Sequence, residues 1–171
     1  MKNKALPTLL LIATIGVVST HLEWCKTDNG HLLYVDGRAI DVFGHLNNLL
    51  TKISRDCRNV ENINKNDQVF SQISSVIKEY SPPDSGSAKI ASLIQTEGWS
   101  LAEVEFNSLL PAVVLLNAQD KVPTIIANGI WSGYTKPFES APYIRKYIRE
   151  QVVAAPPNLI NCFEPISNSF K

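Results

Sequence analysis

The segment PAVVLLNAQDKVPTIIANGIW, residues 111–131, contains two apolar, β-branched runs joined by the polar residues NAQDK. Such runs favour strands, and a short polar connection between them is typical of a β-hairpin. We therefore predict strands near 112–117 and 122–127, with Pro123 at a sheet edge because proline cannot donate a hydrogen bond to a neighbouring strand. The runs are almost continuously apolar, which indicates that helices cover both faces of the sheet.

The two segments before this hairpin are less clear. Residues 100–110, SLAEVEFNSLL, have a capping-box pair in Ser100 and Glu103, which favours a helix. Apolar residues alternate with polar ones in the same segment, which favours a strand, and we prefer the strand because a hairpin follows directly. Residues 87–98, SAKIASLIQTEG, have apolar residues three and four positions apart and a glycine at their end, and they predict a short helix.

The chain between residues 29 and 57 predicts a small hairpin followed by a helix. The pair Asp36-Gly37 is a strong two-residue turn signal, so we expect a hairpin over 29–41. Apolar residues three and four positions apart then predict a helix over 42–57, with Asp41 as its N-cap. The expected apolar stripe of this helix comprises Phe43, Leu46, Leu50, Ile53 and Cys57.

Two further helices are predicted from the same periodicity. Residues 66–81, NDQVFSQISSVIKEYS, begin at a capping Asn66 and stop at the prolines that follow. Residues 140–153, SAPYIRKYIREQVV, begin at a capping Ser140. We expect a buried stripe of Ile144, Tyr147, Ile148 and Val152, and an outer face of Arg145, Lys146, Arg149 and Glu150. The tail 166–171 is expected to fray.

Together these elements predict an α+β fold. We expect a small, mainly antiparallel sheet, with its hairpin near 112–127, packed with about four helices. The length of 171 residues suits one domain of ordinary size, and we assign a single globular domain to residues 20–171.

Residues 1–19 have the pattern of a secretory signal peptide. Lys2 and Lys4 precede the uncharged run ALPTLLLIATIGVVS, and the small residues at its end favour cleavage before Thr20. The run is shorter than the roughly 20 residues that span a bilayer, and an uncleaved anchor is the alternative. We therefore expect a periplasmic or secreted protein that contacts the membrane only if this segment is retained.

Export gives the three cysteines, Cys25, Cys57 and Cys162, a specific meaning, because oxidising compartments favour disulfides. An odd number allows at most one intramolecular bridge. We predict a Cys57–Cys162 disulfide, which ties the C-terminal region to the first helix. A Cys25–Cys57 bridge is the alternative.

Charge and motifs argue against several functional classes. Lysine plus arginine and aspartate plus glutamate number 16 each, so no net charge attracts nucleic acid. His21, His31 and His45 are scattered, without the spacing of a metal site, and no glycine-rich phosphate loop occurs. We expect no metal, no cofactor and no nucleic-acid partner.

The segment GIWSGYTKPF, residues 129–138, concentrates aromatic residues and glycines between the hairpin and the last helix. One interpretation is packing: the aromatic side chains cover the end of the hairpin, and Gly129 and Gly133 supply unusual backbone angles. The other is an exposed surface that binds a protein, since tryptophan and tyrosine are frequent in interface hot spots. The candidate partner-binding residues are Trp131, Tyr134 and Phe138, with Lys136 and Arg145 as a polar rim.

A small hydrolase is the alternative function. Ser132 lies between a strand and a helix, but its spacing is G-x-x-S-G rather than the G-x-S-x-G of a nucleophile elbow, and no histidine follows it. Glu103 and Glu105 lie on one face of the predicted strand. They are interpreted either as a catalytic carboxylate pair or as the solvent-facing side of the strand, where they would pair with Arg145 or Arg149. His45 is the remaining candidate base.

The sequence contains no motif that defines a catalytic site, and we expect a non-enzymatic protein of the cell envelope that acts by binding another protein. It would serve as an accessory component of a secretion or conjugation apparatus, or as an immunity-type inhibitor. The alternative is a small periplasmic hydrolase that acts on envelope material.

Overall fold

The chain folds into two antiparallel sheets and four helices, as a computed structural model shows for residues 21–81, 83–118 and 122–170. The strands are β1 Leu22–Thr27, β2 Gly30–Val35, β3 Arg38–Ile40, β4 Glu61–Asn62, β5 Lys89–Thr96, β6 Trp99–Glu105, β7 Ala112–Asn117 and β8 Thr124–Ser132. The helices are α1 Val42–Ser54, α2 Gln68–Glu79, α3 Ser140–Gln151 and α4 Pro157–Cys162. The predicted α+β class is confirmed. The predicted signal segment 1–19 lies outside the described residues.

The larger sheet has five antiparallel strands in the order β4-β5-β6-β7-β8. Its last two strands are the predicted hairpin, although β8 begins at Thr124 and continues to Ser132. Pro123 directly precedes this edge strand, as expected of a residue that cannot donate to a ladder. The segment that fitted a helix or a strand is strand β6, so the preference for a strand is confirmed.

Both faces of the larger sheet are covered, which explains the continuous apolar runs. On one face, Leu101, Val113 and Leu115 pack in one buried cluster with residues of α3 and α4. On the other face, Ala102, Val114 and Leu116 pack in a second cluster with residues of α2. Alternate residues of each strand thus serve opposite cores.

The prediction of a helix over 87–98 is wrong, because Lys89–Thr96 of this segment form β5. The pairing of β5 with β6 shifts between Ile90 and Ser92, so Ala91 is an extra residue in a bulge. The bulge lets Ile90 and Leu93 enter the same core cluster although they are three positions apart. A separation of three residues between buried side chains is also typical of one face of a helix, which explains the prediction. Gly98, predicted as a helix cap, instead follows Glu97 in the β5–β6 turn, where both residues have positive φ.

A larger bulge bends β8 in the middle. Val114 pairs with Ile130 and Leu116 pairs with Ile125, so four residues of β8 oppose Leu115 alone. A Cβ atom on Gly129 would lie 2.8 Å from the Cβ of Leu115. Gly129 is therefore required for this close approach rather than for an unusual backbone angle, whereas Gly133 does have a positive φ of +141°.

The smaller sheet has the order β1-β2-β3 and contains the predicted Asp36-Gly37 turn, in which both residues have positive φ. This turn matches the hairpin prediction over 29–41. Strand β1, which pairs with β2 from Leu22 onward, was not predicted.

The helix caps are partly as predicted. The Asp41 carboxylate accepts a hydrogen bond from the Gly44 amide at the start of α1. Asp67, not Asn66, caps α2, and Glu139, not Ser140, occupies the N-cap position of α3. The Ser140 hydroxyl instead contacts Thr135 and donates to the Phe170 carbonyl. Helix α1 ends at Ser54, so Cys57 is not part of its stripe.

The C-terminal tail is fixed to the body, so the predicted fraying is wrong for residues 166–170. Its backbone is held by the Glu103 side chain of β6, and Phe170 is buried against Trp131 at a centroid distance of 5.6 Å. The predicted Cys57–Cys162 disulfide is confirmed, and Cys25 is free.

Candidate functional site

Trp131 is the central residue of the GIWSGYTKPF segment, and it has the packing role. Residues 129–132 are the end of β8, not a bend, and Trp131 is only 7% exposed. Its ring contacts Tyr143 of α3 at 6.2 Å and Phe170 of the tail at 5.6 Å. Trp131 therefore packs α3 and the C-terminal tail against the sheet, and it does not contribute to an exposed binding surface.

Arg145 is the centre of a buried polar network, so its predicted place on the outer face of the last helix is wrong. Its guanidinium is 2% exposed and donates to the Phe163 carbonyl at 2.9 Å, to Asn48 at 3.1 Å and to Glu164 at 2.5 Å. Burial lowers the pKa of Arg145, and the facing Glu164 carboxylate acts in the opposite direction. The network joins α1, α3 and the segment after α4.

Glu164 was not identified from the sequence, although it is the acceptor that this network shares. Its carboxylate also accepts from Arg55 at 2.7 Å and lies 3.6 Å from the Lys52 ammonium. Arg55 and Lys52 are separated from Glu164 by more than a hundred residues, so no local pattern marks the pairing. The arrangement explains why Arg145 tolerates burial, since each of its three nitrogens donates to an acceptor.

Glu103 and Glu105 do not form a solvent-facing pair, and neither pairs with Arg145 or Arg149 in the structure. Glu103 is completely buried, and its two oxygens accept from the Ile166 and Ser167 amides, each at 2.9 Å. The Ser92 hydroxyl donates to the same carboxylate at 3.0 Å. Glu105 accepts from the Ser169 hydroxyl at 3.2 Å. Both carboxylates therefore hold the C-terminal tail.

The hydrolase candidates lie in separate places. Ser132 lines an apolar cavity beside α2, whereas His45 lines a groove between α1 and α3 that contains several charged side chains. His45 lies 3.0 Å from the Glu139 carboxylate. Glu103 and Glu105 both hold the tail. The structure therefore does not place Ser132, His45 and the two glutamates within hydrogen-bond reach of one another, as a nucleophile, base and acid require.

The remaining residues of the predicted binding surface lie after β8. Tyr134 is 67% exposed, Lys136 is exposed, and the Lys136–Pro137 peptide bond is cis. Phe138 is half-buried, and its ring contacts Tyr143 at 5.5 Å. Of the five candidates, Tyr134 is the large aromatic side chain that the fold leaves accessible.

An apolar cavity of about 320 Å³ lies on the α2 side of the larger sheet. Its floor is formed by residues of β7 and β8, including Val114, Ile125 and Ile130. None of the described residues that line it is charged. Three of them are large and exposed: Tyr80, Leu109 and Leu110.

Tyr134 and this cavity form one continuous surface. Leu109 and Leu110, in the loop between β6 and β7, line the cavity and also an adjoining depression in which Tyr134 lies. We call Tyr80, Leu109, Leu110, Tyr134 and the cavity between them the tyrosine–leucine surface. The sequence signal for the loop is two consecutive leucines that follow the polar residues Asn107 and Ser108 and precede Pro111.

Within residues 21–81, 83–118 and 122–170, no group of three or more histidine, cysteine, aspartate or glutamate side chains is arranged to hold a metal ion. In the same ranges, no helix has the length and apolar character needed to cross a membrane. The chain matches no model of a known protein family, no curated protein and no solved structure.

Proposed function

We propose that this protein is exported, has no enzymatic activity, and acts in the cell envelope by binding another protein through the tyrosine–leucine surface. The observation that carries the proposal is the uncharged cavity of about 320 Å³, bordered by exposed leucines and continuous with Tyr134. It would act as an accessory component of a secretion or conjugation apparatus, or as an immunity-type inhibitor.

The chemistry of the surface supports a protein partner that inserts an apolar or aromatic side chain. Interface hot spots combine a desolvated pocket with aromatic anchors, and tyrosine is one of the residues most enriched in them. The cavity is near the lower limit of the roughly 300–1,000 Å³ that is usual for small-molecule sites. Since its described lining has no charge, a charged group would lose hydration there without gaining a counter-ion.

Export is supported by two independent features of the chain. Residues 1–19 have the composition and order of a signal peptide. The disulfide between Cys57 and Cys162 is of the kind that persists in oxidising compartments and is rare in the cytosol.

Co-purification from the native envelope tests the proposal. We expect a partner to co-purify with the wild type, to be lost with Leu109→Asp, and to bind at least about tenfold more weakly with Tyr134→Ala. Val153→Asp is the matched control, because Val153 is 90% exposed and outside the surface, and it should retain the partner.

The same preparation tests export. An N-terminus at Thr20 is expected, and an intact chain beginning at Met1 would contradict cleavage.

A wild-type protein that purifies alone, or a partner retained by Leu109→Asp, would contradict binding through the tyrosine–leucine surface.

A further inference from the structure

Helix α1 presents its apolar stripe to solvent. Phe43, Leu46, Leu49, Leu50 and Ile53 are between 52 and 75% exposed, and no residue of the helix is buried. Trp24 of β1 is 58% exposed and contacts Phe43 at 5.8 Å, so it extends the same surface. We call these six side chains the α1 face.

The opposite side of α1 attaches the helix to the protein through polar contacts. Asp41 accepts from the Glu139 amide at 3.0 Å, Asn48 accepts from Arg145, and Arg55 donates to Glu164. An amphipathic helix on a protein surface ordinarily buries its apolar side and exposes its polar side. Helix α1 instead leaves its apolar stripe exposed, and the three polar contacts on the opposite side fix that orientation.

The spacing of the exposed stripe fits a second helix. Residues 43, 46, 50 and 53 alternate in steps of three and four, which is the pattern of the seam between two packed helices. The residues that flank this seam are also uncharged: Val42, Asn47, Leu49 and Ser54. Two copies of the stripe can therefore meet without placing like charges against each other.

The size of the α1 face fits a dimer. Its six side chains expose roughly 700 Å², which exceeds the 300–600 Å² of the largest apolar patch on a typical monomer. A standard stable interface buries about 800 Å² on each partner. Symmetric pairing of this face with a small surrounding rim would reach that area.

We propose that the α1 face binds the α1 face of a second copy of this chain, with the two helices antiparallel about a twofold axis. Residues 43–53 span about 15 Å, so antiparallel pairing brings Trp24, beside Phe43, over Ile53 at the far end of the partner's helix. Leu46 of each copy then lies opposite Leu50 of the other. Antiparallel helix dipoles also favour this orientation.

The dimer leaves the tyrosine–leucine surface free. Helix α1 contacts α3 and α4, on one side of the larger sheet, whereas the cavity lies on the α2 side. The dimer proposal therefore does not depend on the proposed function, and the assembly would present two binding surfaces to a partner.

Sedimentation equilibrium of the purified protein tests the dimer. We expect twice the monomer mass at about 100 μM, and an increase of at least about 100-fold in the dissociation constant for Leu50→Glu, which buries two carboxylates near the twofold axis. Val153→Glu is the control and should remain dimeric. A monomeric wild type overturns the proposal. This holds also if residues 1–20 are found to cover the α1 face, or if the α1 face binds lipid vesicles instead. A Leu50→Glu variant that remains dimeric overturns it as well.

Disulfide cross-linking gives a second measurement that does not depend on how Leu50→Glu folds. In a Cys25→Ser background, we expect a mixture of Leu46→Cys and Leu50→Cys proteins to form the mixed disulfide at least about tenfold faster than either homodimeric disulfide. Preferred homodimeric disulfides, or no cross-link, would contradict antiparallel pairing.

Discussion

Glu103 is a buried carboxylate that holds the C-terminal tail against β6. A charged group in the core is stable only when its lone pairs are used, and here two backbone amides and one hydroxyl donate to it. The side chain thus has a structural task that a carboxylate performs better than an amide, because both of its oxygens accept.

Replacing Glu103 by glutamine tests this role. In Glu103→Gln, an amino group replaces one acceptor oxygen and faces a backbone amide, so we expect the free energy of unfolding to fall by about 1.5–3 kcal/mol. Urea denaturation measures the loss, and hydrogen exchange should show weaker protection of the Ile166 and Ser167 amides. Glu105→Gln is the control and should cost less than about 1 kcal/mol. Equal costs for the two variants would contradict a special role for Glu103.

Asp56 gives a pH-dependent prediction at the same scale. Hydrogen bonds from the side chain and backbone of Arg58 lower the pKa of Asp56 to about 2 from its ordinary value of 3.8. Since the folded-state pKa is the lower one, any stabilisation by this pair is present above about pH 4 and is lost as the pH falls through 2.

Carboxyl-carbon chemical shifts measured against pH test this shift. We expect Asp56 to titrate near 2 in the wild type and to return toward 3.8 in Arg58→Ala. Arg38→Ala, which removes an exposed arginine elsewhere, should leave the titration unchanged. An unchanged Asp56 titration in Arg58→Ala would show that Arg58 is not the cause.

At the scale of elements, Phe170 anchors the tail from Ile166 to Phe170 in the core. Phe170 is 5% exposed and belongs to the cluster that contains Trp131 and the buried residues of α3 and α4. The buried Phe170 ring therefore stabilises the packing of the tail against α3 and the sheet.

Truncation of the Phe170 side chain tests the tail. We expect Phe170→Ala to lower the free energy of unfolding by about 3–5 kcal/mol, because it leaves a cavity beside Trp131. Urea denaturation followed by tryptophan fluorescence is the measurement. Ile166→Ala, at a half-exposed position in the same tail, should cost less than about 1 kcal/mol. If Phe170→Ala costs no more than this control, Phe170 does not anchor the tail in the core.

The elements with clear local signals could be predicted, and those defined by distant partners could not. The β7–β8 hairpin, the Asp36-Gly37 turn and the Asp41 cap each depend on residues close in sequence. Strand β5 was mistaken for a helix because one bulge residue changes the spacing of its apolar side chains from two to three. Periodicity cannot distinguish a bulged strand from a short helix.

The candidate site shows the same division. Tyr134 could be selected by residue type, but the burial of Trp131 and Arg145 depends on Phe170 and Glu164, which lie far along the chain. The outward orientation of the α1 stripe could not be predicted either. A helix with one apolar stripe is expected to bury it, and only the polar contacts of Asp41, Asn48 and Arg55 reveal the opposite.

At the scale of the whole molecule, the Cys57–Cys162 disulfide connects the region after α1 to the end of α4. The two cysteines are 105 residues apart, and closing a loop of about 100 residues stabilises a protein by about 4–5 kcal/mol in the chain-entropy account. The disulfide also lies near the Arg55–Glu164 pair, which joins the same two regions.

Removing this disulfide should therefore lower stability substantially. We expect Cys57→Ser combined with Cys162→Ser to reduce the free energy of unfolding by about 2–5 kcal/mol, measured by urea denaturation. Cys25→Ser, which removes the free thiol, is the control and should change it by less than about 1 kcal/mol. An equal effect of the two changes would contradict a stabilising role for the disulfide.

Site-specific photo-cross-linking in the producing cells tests most directly whether the protein acts through the tyrosine–leucine surface. A photo-reactive phenylalanine at position 134 should give one adduct with another protein, and the same group at the exposed position 153 should not. Leu109→Asp should reduce the adduct at position 134 at least about tenfold. No adduct at position 134, an adduct only with a second copy of this chain, or the same adduct from position 153 would contradict the account.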